Sequence, residues 1–494
     1  MSVARKILSN TVAQIIGKLI VAFMGLAVVK IATNYLSLEG YGEYILIYEF
    51  LAFFGIAADL GLFTIAVKEM SEDEDRIPKI IGNILSLRTI LVTITMGLAI
   101  LTVFLVPKYV DTRVPIGVAI ASMTVFFTIL NGTISSVLQT KLKMEIASIT
   151  TVFGRIISLG LMVYIVFYGF ENDTTAGFYM MIAAGVIGNL AMLLSTNYFV
   201  RKITPLKYRF DLDLWKEVLV KSLPYGLALI LNTVYFRVDS ILISVMRGQE
   251  EVGIYGVAMK MLEHFAILPL YFMNSVLPVL TKAVKEKSEK YKKIISYAFD
   301  FLAAMSIPMV VGGVVLAFPI IFIISSPEYL SDLPEGFYGS DIALKILIFA
   351  LLFQFLNVLF AFILIAINKQ SKLLYINGAV VIFNIVTNII FIPEYGFRGA
   401  AVTSVISEAI ILVATWVTAR HYLEFSINLK KLMKIIISAL TMGAVIYYLQ
   451  PIMYNFIENW STLVLIPLGM VIYTAMLFIT KTVDKEMLAL LRRK

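Results

Sequence analysis

Among the ionisable side chains inside stretches of sequence that are otherwise apolar are seven bases (Lys18, Lys30, Arg88, Arg155, Arg237, Lys260, Lys345) and five clear acids (Glu49, Asp59, Asp239, Glu263, Glu408). A charge held in an apolar medium is costly, so each such group either has a partner or serves a function. The small basic excess fits a space that receives an anionic group. The planar guanidinium fork matches phosphate oxygens two at a time. That makes Arg155 and Arg237 the leading phosphate-binding candidates, with Lys18 and Lys260 as further cationic ones. Among the acids, Asp59, Asp239 and Glu408 are the candidates for binding a proton or a sodium ion.

Each of these residues also has a plainer reading. Height along neighbouring antiparallel helices, at about 1.5 Å per residue, brings Lys30 level with Glu49 and Lys18 level with Asp59, as two interhelical ion pairs. Arg88, one turn into its helix, can extend its head to the interface. Arg155 is roughly 14 Å deep, too far for that, and needs either an acid or a cavity. Arg237, Asp239, Lys260 and Glu263 are numerically balanced and could form a neutral quartet, with Lys260, Glu263 and His264 on one helix face. Glu408 stands mid-helix with no basic residue at its height, so it is either protonated by burial or faces water. Asn384 and Asn388, four residues apart, suit hydrogen bonding between helices.

The elements that must carry these groups follow from composition. Of 494 residues, 60% are hydrophobic and 15% charged, and the mean hydropathy is +0.90. Soluble chains are nearer half apolar and a quarter charged. Apolar runs of spanning length fall at roughly 11–34, 43–67, 84–106, 114–138, 146–168, 176–199, 220–245, 252–280, 294–324, 342–367, 373–392, 398–419, 435–450 and 462–480. They predict an all-α integral membrane protein of about fourteen transmembrane helices. Kinks are expected in 252–280 and 294–324, which carry Pro269, Pro278, Pro308 and Pro319. The first run is too long for a signal-peptide core and lacks a small-residue cleavage site, so it is expected to span. With an inward N-terminus, thirty of the 41 basic residues lie on inward segments and four (Lys108, Arg113, Arg247, Arg398) on outward ones. That bias places both termini in the cytoplasm. The net charge of +8 is therefore a signal for topology and anionic headgroups rather than for nucleic acid. The chain has no cysteine and two distant histidines, which excludes disulfides, thiol catalysis and a histidine-based metal site. No cofactor is expected. Glu328, Asp332, Glu335 and Asp341 in the largest outward loop read as ordinary solvated charges.

Glu39-Gly40-Tyr41-Gly42 and Glu250-Glu251-Val252-Gly253-Ile254-Tyr255 each open a helix, six helices apart. Gly169-Phe170 through Ala176-Gly177 and Gly396-Phe397-Arg398-Gly399-Ala400-Ala401 repeat that spacing. An even offset keeps both halves in one orientation, as parallel repeats. The expected division is 1–205 (helices one to six), 206–425 (seven to twelve) and 426–494 (the last two helices and the tail).

Together with Asp59-Leu60-Gly61-Leu62, Lys221-Ser222-Leu223-Pro224, Asp239 and Ile392-Pro393-Glu394-Tyr395-Gly396, these stretches make the chain resemble a known family. It is similar over its whole length to the polysaccharide-transporter flippases of the multidrug, oligosaccharidyl-lipid and polysaccharide exporter superfamily. The resemblance implies two six-helix lobes around a V-shaped central cavity, plus two C-terminal helices. It further implies a non-enzymatic flippase of the cell membrane that moves a polyprenyl-diphosphate-linked oligosaccharide from the cytoplasmic to the outer leaflet by alternating access. Its partners would be that lipid-linked sugar, membrane lipids, a coupling ion and envelope polysaccharide assembly enzymes. No phosphate-binding nucleotide loop is present, so an ion gradient, the membrane potential or removal of product would drive transport. Two alternatives stand beside this reading. A multidrug/cation antiporter of the same superfamily would want an acidic cavity and about twelve helices. A membrane-embedded glycosyltransferase or polymerase would want acids on a sizeable outer loop.

Overall fold

The computed structural model describes residues 3–331 and 337–482. Among them every regular element is helical. In lipid a helix is the one open element that satisfies its own backbone polar groups. Packing divides the chain into two compact units, Met1–Gly253 and Ile254–Lys494. The first holds α1 (Val3–Tyr35), α2 (Leu38–Asp59), α3 (Leu62–Glu72), α4 (Ile77–Val103), α5 (Val114–Thr140), α6 (Met144–Tyr164), α7 (Thr174–Arg201) and α8 (Leu212–Met246). Next, α9 (Gln249–Phe265) begins in the first unit and continues into the second. The second unit further holds α10 (Leu268–Lys285), α11 (Lys290–Val315), α12 (Ala317–Ile324), α13 (Ser340–Ala366), α14 (Ser371–Tyr395), α15 (Phe397–Tyr422), α16 (Leu429–Ile457) and α17 (Thr462–Ile479).

Thirteen helical segments among the described residues are long and apolar enough to cross a membrane. The last, Leu429–Ile479, is α16 and α17 packed against each other across a 3-10 turn at Glu458–Ser461, which brings the number to fourteen. Here the expected 435–450 was too short, and α16 runs from 429 to 457.

The helices begin where the sequence supplies acceptors for their free first N–H groups. Ser37 accepts from the Gly40 amide, Asp173 from Ala176, Asp211 from Leu214 and Asn428 from Lys431. Proline fills the first turn of α4, α5 and α10, where its missing N–H costs nothing. Two of the expected bends are present. The run at 252–280 breaks between α9 and α10 just before Pro269, and that at 294–324 breaks at Leu316 before Pro319. Pro278 and Pro308 are carried inside α10 and α11.

A third break was not expected. The second run parts at Leu60 and Gly61, both left-handed (φ 43° and 74°), giving α2 and α3. The bent backbone lies against α8. A Cβ on Gly61 would meet the Tyr225 ring at 3.0 Å, and one on Gly226 would meet the Leu60 carbonyl oxygen at 2.8 Å. The 59–62 motif and the stretch just after the 221–224 motif are thus packed on one another. The glycines of another motif pair also meet. A Cβ on Gly42 would fall 1.7 Å from the Gln249 carbonyl oxygen, and one on Gly253 would fall 2.6 Å from that of Leu38.

The apolar core of the first unit gathers Leu62, Met70, Ile81, Val137, Leu138 and Val200. In the second unit Ala439, Met442, Ile446, Leu465 and Tyr473 knit α16 to α17 and, with Ile307 and Val311, to α11. Large apolar side chains such as Leu98, Leu101, Ile390 and Phe456 stand exposed on helix faces, as a bilayer solvent requires.

Candidate functional site

Helix α2 places its two acids on opposite neighbours. Glu49, buried, receives the Nη1 of Arg237 from α8 on both carboxylate oxygens, at 2.8 and 2.7 Å. By residue count Glu49 is level with Arg237 of α8 as well as with Lys30 of α1. Asp59 pairs with Arg88 of α4, and not with Lys18 as expected. Arg88 does not extend to the interface. It is buried (2% exposed) and also donates through Nη1 to Thr133 Oγ1 of α5 at 3.0 Å. Three helices are thereby tied by one guanidinium. At the opposite end of α2, Glu43 accepts from the Arg113 Nε at 2.6 Å and its amide at 3.2 Å, while the Arg113 guanidinium lies over the Phe178 ring. Hydropathy alone concealed this pair, because Glu43 is the first residue of its run and Arg113 lies in a connecting segment.

Arg155 on α6 stands apart from these pairs. Its side chain is exposed and makes no ion pair or hydrogen bond among the described residues. It lies within electrostatic reach of Tyr48 on α2, whose hydroxyl shares a hydrogen bond with Tyr44. Gly185 of α7 opens space toward that hydroxyl, to which a Cβ would stand at 3.2 Å. Near this level Thr128 of α5 donates to Asn189 of α7 at 3.0 Å, and the buried Thr124 hydroxyl has no partner among the described residues. Of the remaining candidates in this unit, Lys18 is exposed, Lys30 is half-buried and Asp239 is buried on α8.

In the second unit Lys260 and Glu263 pair with each other one turn apart, at 3.0 Å. Glu408 of α15 is buried and accepts from the Asn357 amide of α13, at 2.6 Å on Oε2 and 3.2 Å on its backbone carbonyl. On the other side of α15, Asn384 donates to Ser407 at 3.4 Å, the interhelical role expected of it, and accepts from Asn388 within α14 at 3.1 Å. Asp341 is not a solvated loop charge. Fully buried, it accepts from the Ser331 amide (2.8 Å), the Ser331 hydroxyl (2.9 Å) and Lys345 (3.4 Å), and so ties Ser331 to the start of α13. Asp332 and Glu335 lie outside the described residues. A further pair, Lys431 to Asp300 at 3.2 Å, fastens α16 to α11. No group of three or more histidine or acidic side chains placed to hold a metal ion occurs among the described residues.

Where α3 meets the first turns of α8, Lys221 bridges Glu217 (2.7 Å) and Glu69 (2.8 Å), and the two carboxylates, Glu217 first, hold its ammonium above the ordinary lysine range. The Asp211 carboxyl is held below its ordinary value by Lys79 and by the Leu214 amide it caps.

Comparison with known proteins agrees with this architecture. The family model described as polysaccharide biosynthesis protein matches residues 4–284, and a second model, MatE, matches residues 224–390. An uncharacterized membrane protein of Methanocaldococcus jannaschii is 30% identical over 287 residues, 55% of this chain; the match spans about half (52%) of that relative's length. Among solved structures, the chain is similar to the lipid II flippase MurJ in an inward closed conformation, with a TM-score of 0.73 at 18% identity, over 95% of this chain and 98% of that one. It is also similar to a multidrug resistance MATE family transporter of the MOP superfamily in an inward-facing conformation, with a TM-score of 0.63 at 17% identity, over 83% of this chain and 98% of that one. At such identities these structures establish the fold.

Proposed function

From the premise that the chain belongs to the polysaccharide biosynthesis protein family, we propose that it is a flippase carrying a polyprenyl-diphosphate-linked oligosaccharide from the cytoplasmic to the outer leaflet of the cell membrane. The observation that carries this reading is Arg155. Most buried charges of the first unit are spent on helix-to-helix pairs, whereas this guanidinium, mid-helix and exposed, makes no pair among the described residues. A phosphate is the ligand such a fork suits best. Arg237 would be the second contact, released in part from Glu49, with Lys18 and Lys260 lining the approach. Lobes at 1–205 and 206–425, followed by residues 426–494, would rock to open the site to each leaflet in turn. Asp59, Asp239 and Glu408 would be the carboxylates that couple transport to a proton or sodium ion. Both termini would be cytoplasmic, as the basic bias of the inward segments requires. The buried role of Asp341 supports a transporter over a glycosyltransferase or polymerase, because it occupies an outer-loop acid in structure.

The test is flipping of a fluorescent polyprenyl-diphosphate oligosaccharide in proteoliposomes. Arg155→Ala should lower the rate about tenfold or more, the loss of one charge-assisted hydrogen bond of about 1.5 kcal/mol or above. Expression and thermal stability should stay near those of the parent, since the residue supports no pair. An unchanged rate would remove the proposed contact. The match of residues 224–390 to the MatE model favours a second reading, cation efflux. In that case ethidium export, and not flipping, would be the activity retained in vesicles.

A further inference from the structure

On the exposed face of α14 and α15 lies a groove of about 320 Å³, lined by Phe383, Thr387, Phe391, Tyr395, Val402 and Ile406, with Arg398 and Gly399 at one end. The two helices turn their polar residues the other way: Asn384, Asn388 and Ser407 are fully buried between them, leaving the groove almost wholly hydrocarbon. From Phe383 to Arg398 the lining extends roughly 20 Å along the helix axis, against about 15 Å for half of a bilayer's hydrocarbon core. One chain of a lipid in a single leaflet would fill it from end to end.

The groove's end is cationic. Arg398 donates its Nε to the Tyr395 carbonyl at 3.4 Å, which fixes the guanidinium at the mouth, and its terminal nitrogens have no acceptor among the described residues. The first turn of α15 begins beside it at Phe397, so the positive end of that helix points at the same spot. Arg398 is also one of only four basic residues on the outward connecting segments. Glu394, one residue before Tyr395, is not part of the lining.

We propose that this groove is a binding site for an anionic membrane glycerophospholipid, one apolar chain lying along Phe383–Val402 and the phosphate resting on Arg398 and the start of α15. The proposal is independent of the cavity chemistry above, because no residue invoked there lines the groove.

The experiment is native mass spectrometry of the delipidated full chain, titrated with phosphatidylglycerol, phosphatidylcholine of the same acyl chains, and undecaprenyl phosphate. One phosphatidylglycerol should bind about tenfold more tightly than phosphatidylcholine. Arg398→Gln should erase that preference. Val402→Trp, which fills the groove from an exposed position, should weaken both phospholipids while the variant's thermal stability stays unchanged. Equal retention of the two phospholipids by the parent chain, an undiminished preference in Arg398→Gln, or unaltered binding in Val402→Trp would overturn the assignment. Preference for undecaprenyl phosphate over phosphatidylglycerol would overturn it as well, and give the groove to a polyprenyl chain.

Discussion

Truncating Arg237 to alanine deprives the buried Glu49 carboxylate of both of its bonds from that guanidinium. Breaking a buried pair from one side typically costs about 3–5 kcal/mol, most of it the penalty of the charge left behind. Arg237→Ala should therefore lower the melting temperature and the yield of folded protein, and adding Glu49→Gln should restore most of both. If Arg237 also binds substrate, flipping stays low in the restored double variant, which separates its two roles. Glu408 calls for a different substitution. Gln keeps an oxygen for the Asn357 amide, so Glu408→Gln should retain the fold, while Glu408→Leu should destabilise by about 1–3 kcal/mol, because the buried amide keeps only its longer bond to the backbone carbonyl. A pH profile of flipping that is unchanged in Glu408→Gln would dismiss this carboxyl as the coupling group. Which of these side chains are charged and deep was legible from sequence, because depth follows from residue count. Their partners were less so. Height along the membrane normal says nothing of which helix stands alongside, and Asp59 found Arg88 where Lys18 had an equal claim.

The existence and order of the helices are legible in hydropathy because lipid leaves them no alternative, although α1, α8 and α16 run well beyond their apolar stretches. The bends before Pro269 and at Leu316 follow from proline. The break at Leu60–Gly61 escaped because hydropathy runs through it undisturbed. Its cause is tertiary: the α8 backbone at Tyr225–Gly226 fills the notch that the left-handed pair creates. Gly226→Val should push α8 off this notch and reduce folded yield severalfold by size-exclusion profile, whereas the same change at Gly132, around which a Cβ would meet nothing, should be silent. At the start of α8, Asp211 caps the helix with a carboxyl whose proton affinity is lowered on folding. Such a group adds stability above its unfolded value and loses it as pH falls through the folded one. The protection of the Leu214 amide against exchange, relative to its intrinsic rate at each pH, should thus be high at neutral pH, and should fall on acidification below the ordinary carboxylate range or in Asp211→Asn.

For the molecule as a whole, orientation is the expectation with the widest reach. Single cysteines are clean reporters in a chain that has none. Phe337→Cys, at an exposed loop position, should react with an impermeant maleimide in intact cells, and Glu286→Cys only after permeabilisation. The opposite pattern would invert the topology and with it the direction of transport. Packing also carries a consequence for how the protein is made. Helix α8 supplies Arg237 to Glu49, Lys221 to Glu69 and Ser244 to Tyr109, across sequence separations of 188, 152 and 135 residues. At about 5–20 residues per second on the ribosome, Arg237 follows Glu49 by roughly 10–40 s. For that interval the first seven helices wait in the membrane for the strut that completes them. A ribosome stalled before α8 would hand the quality-control proteases an unfinished half, with Glu49, Glu69 and Tyr109 still open to capture.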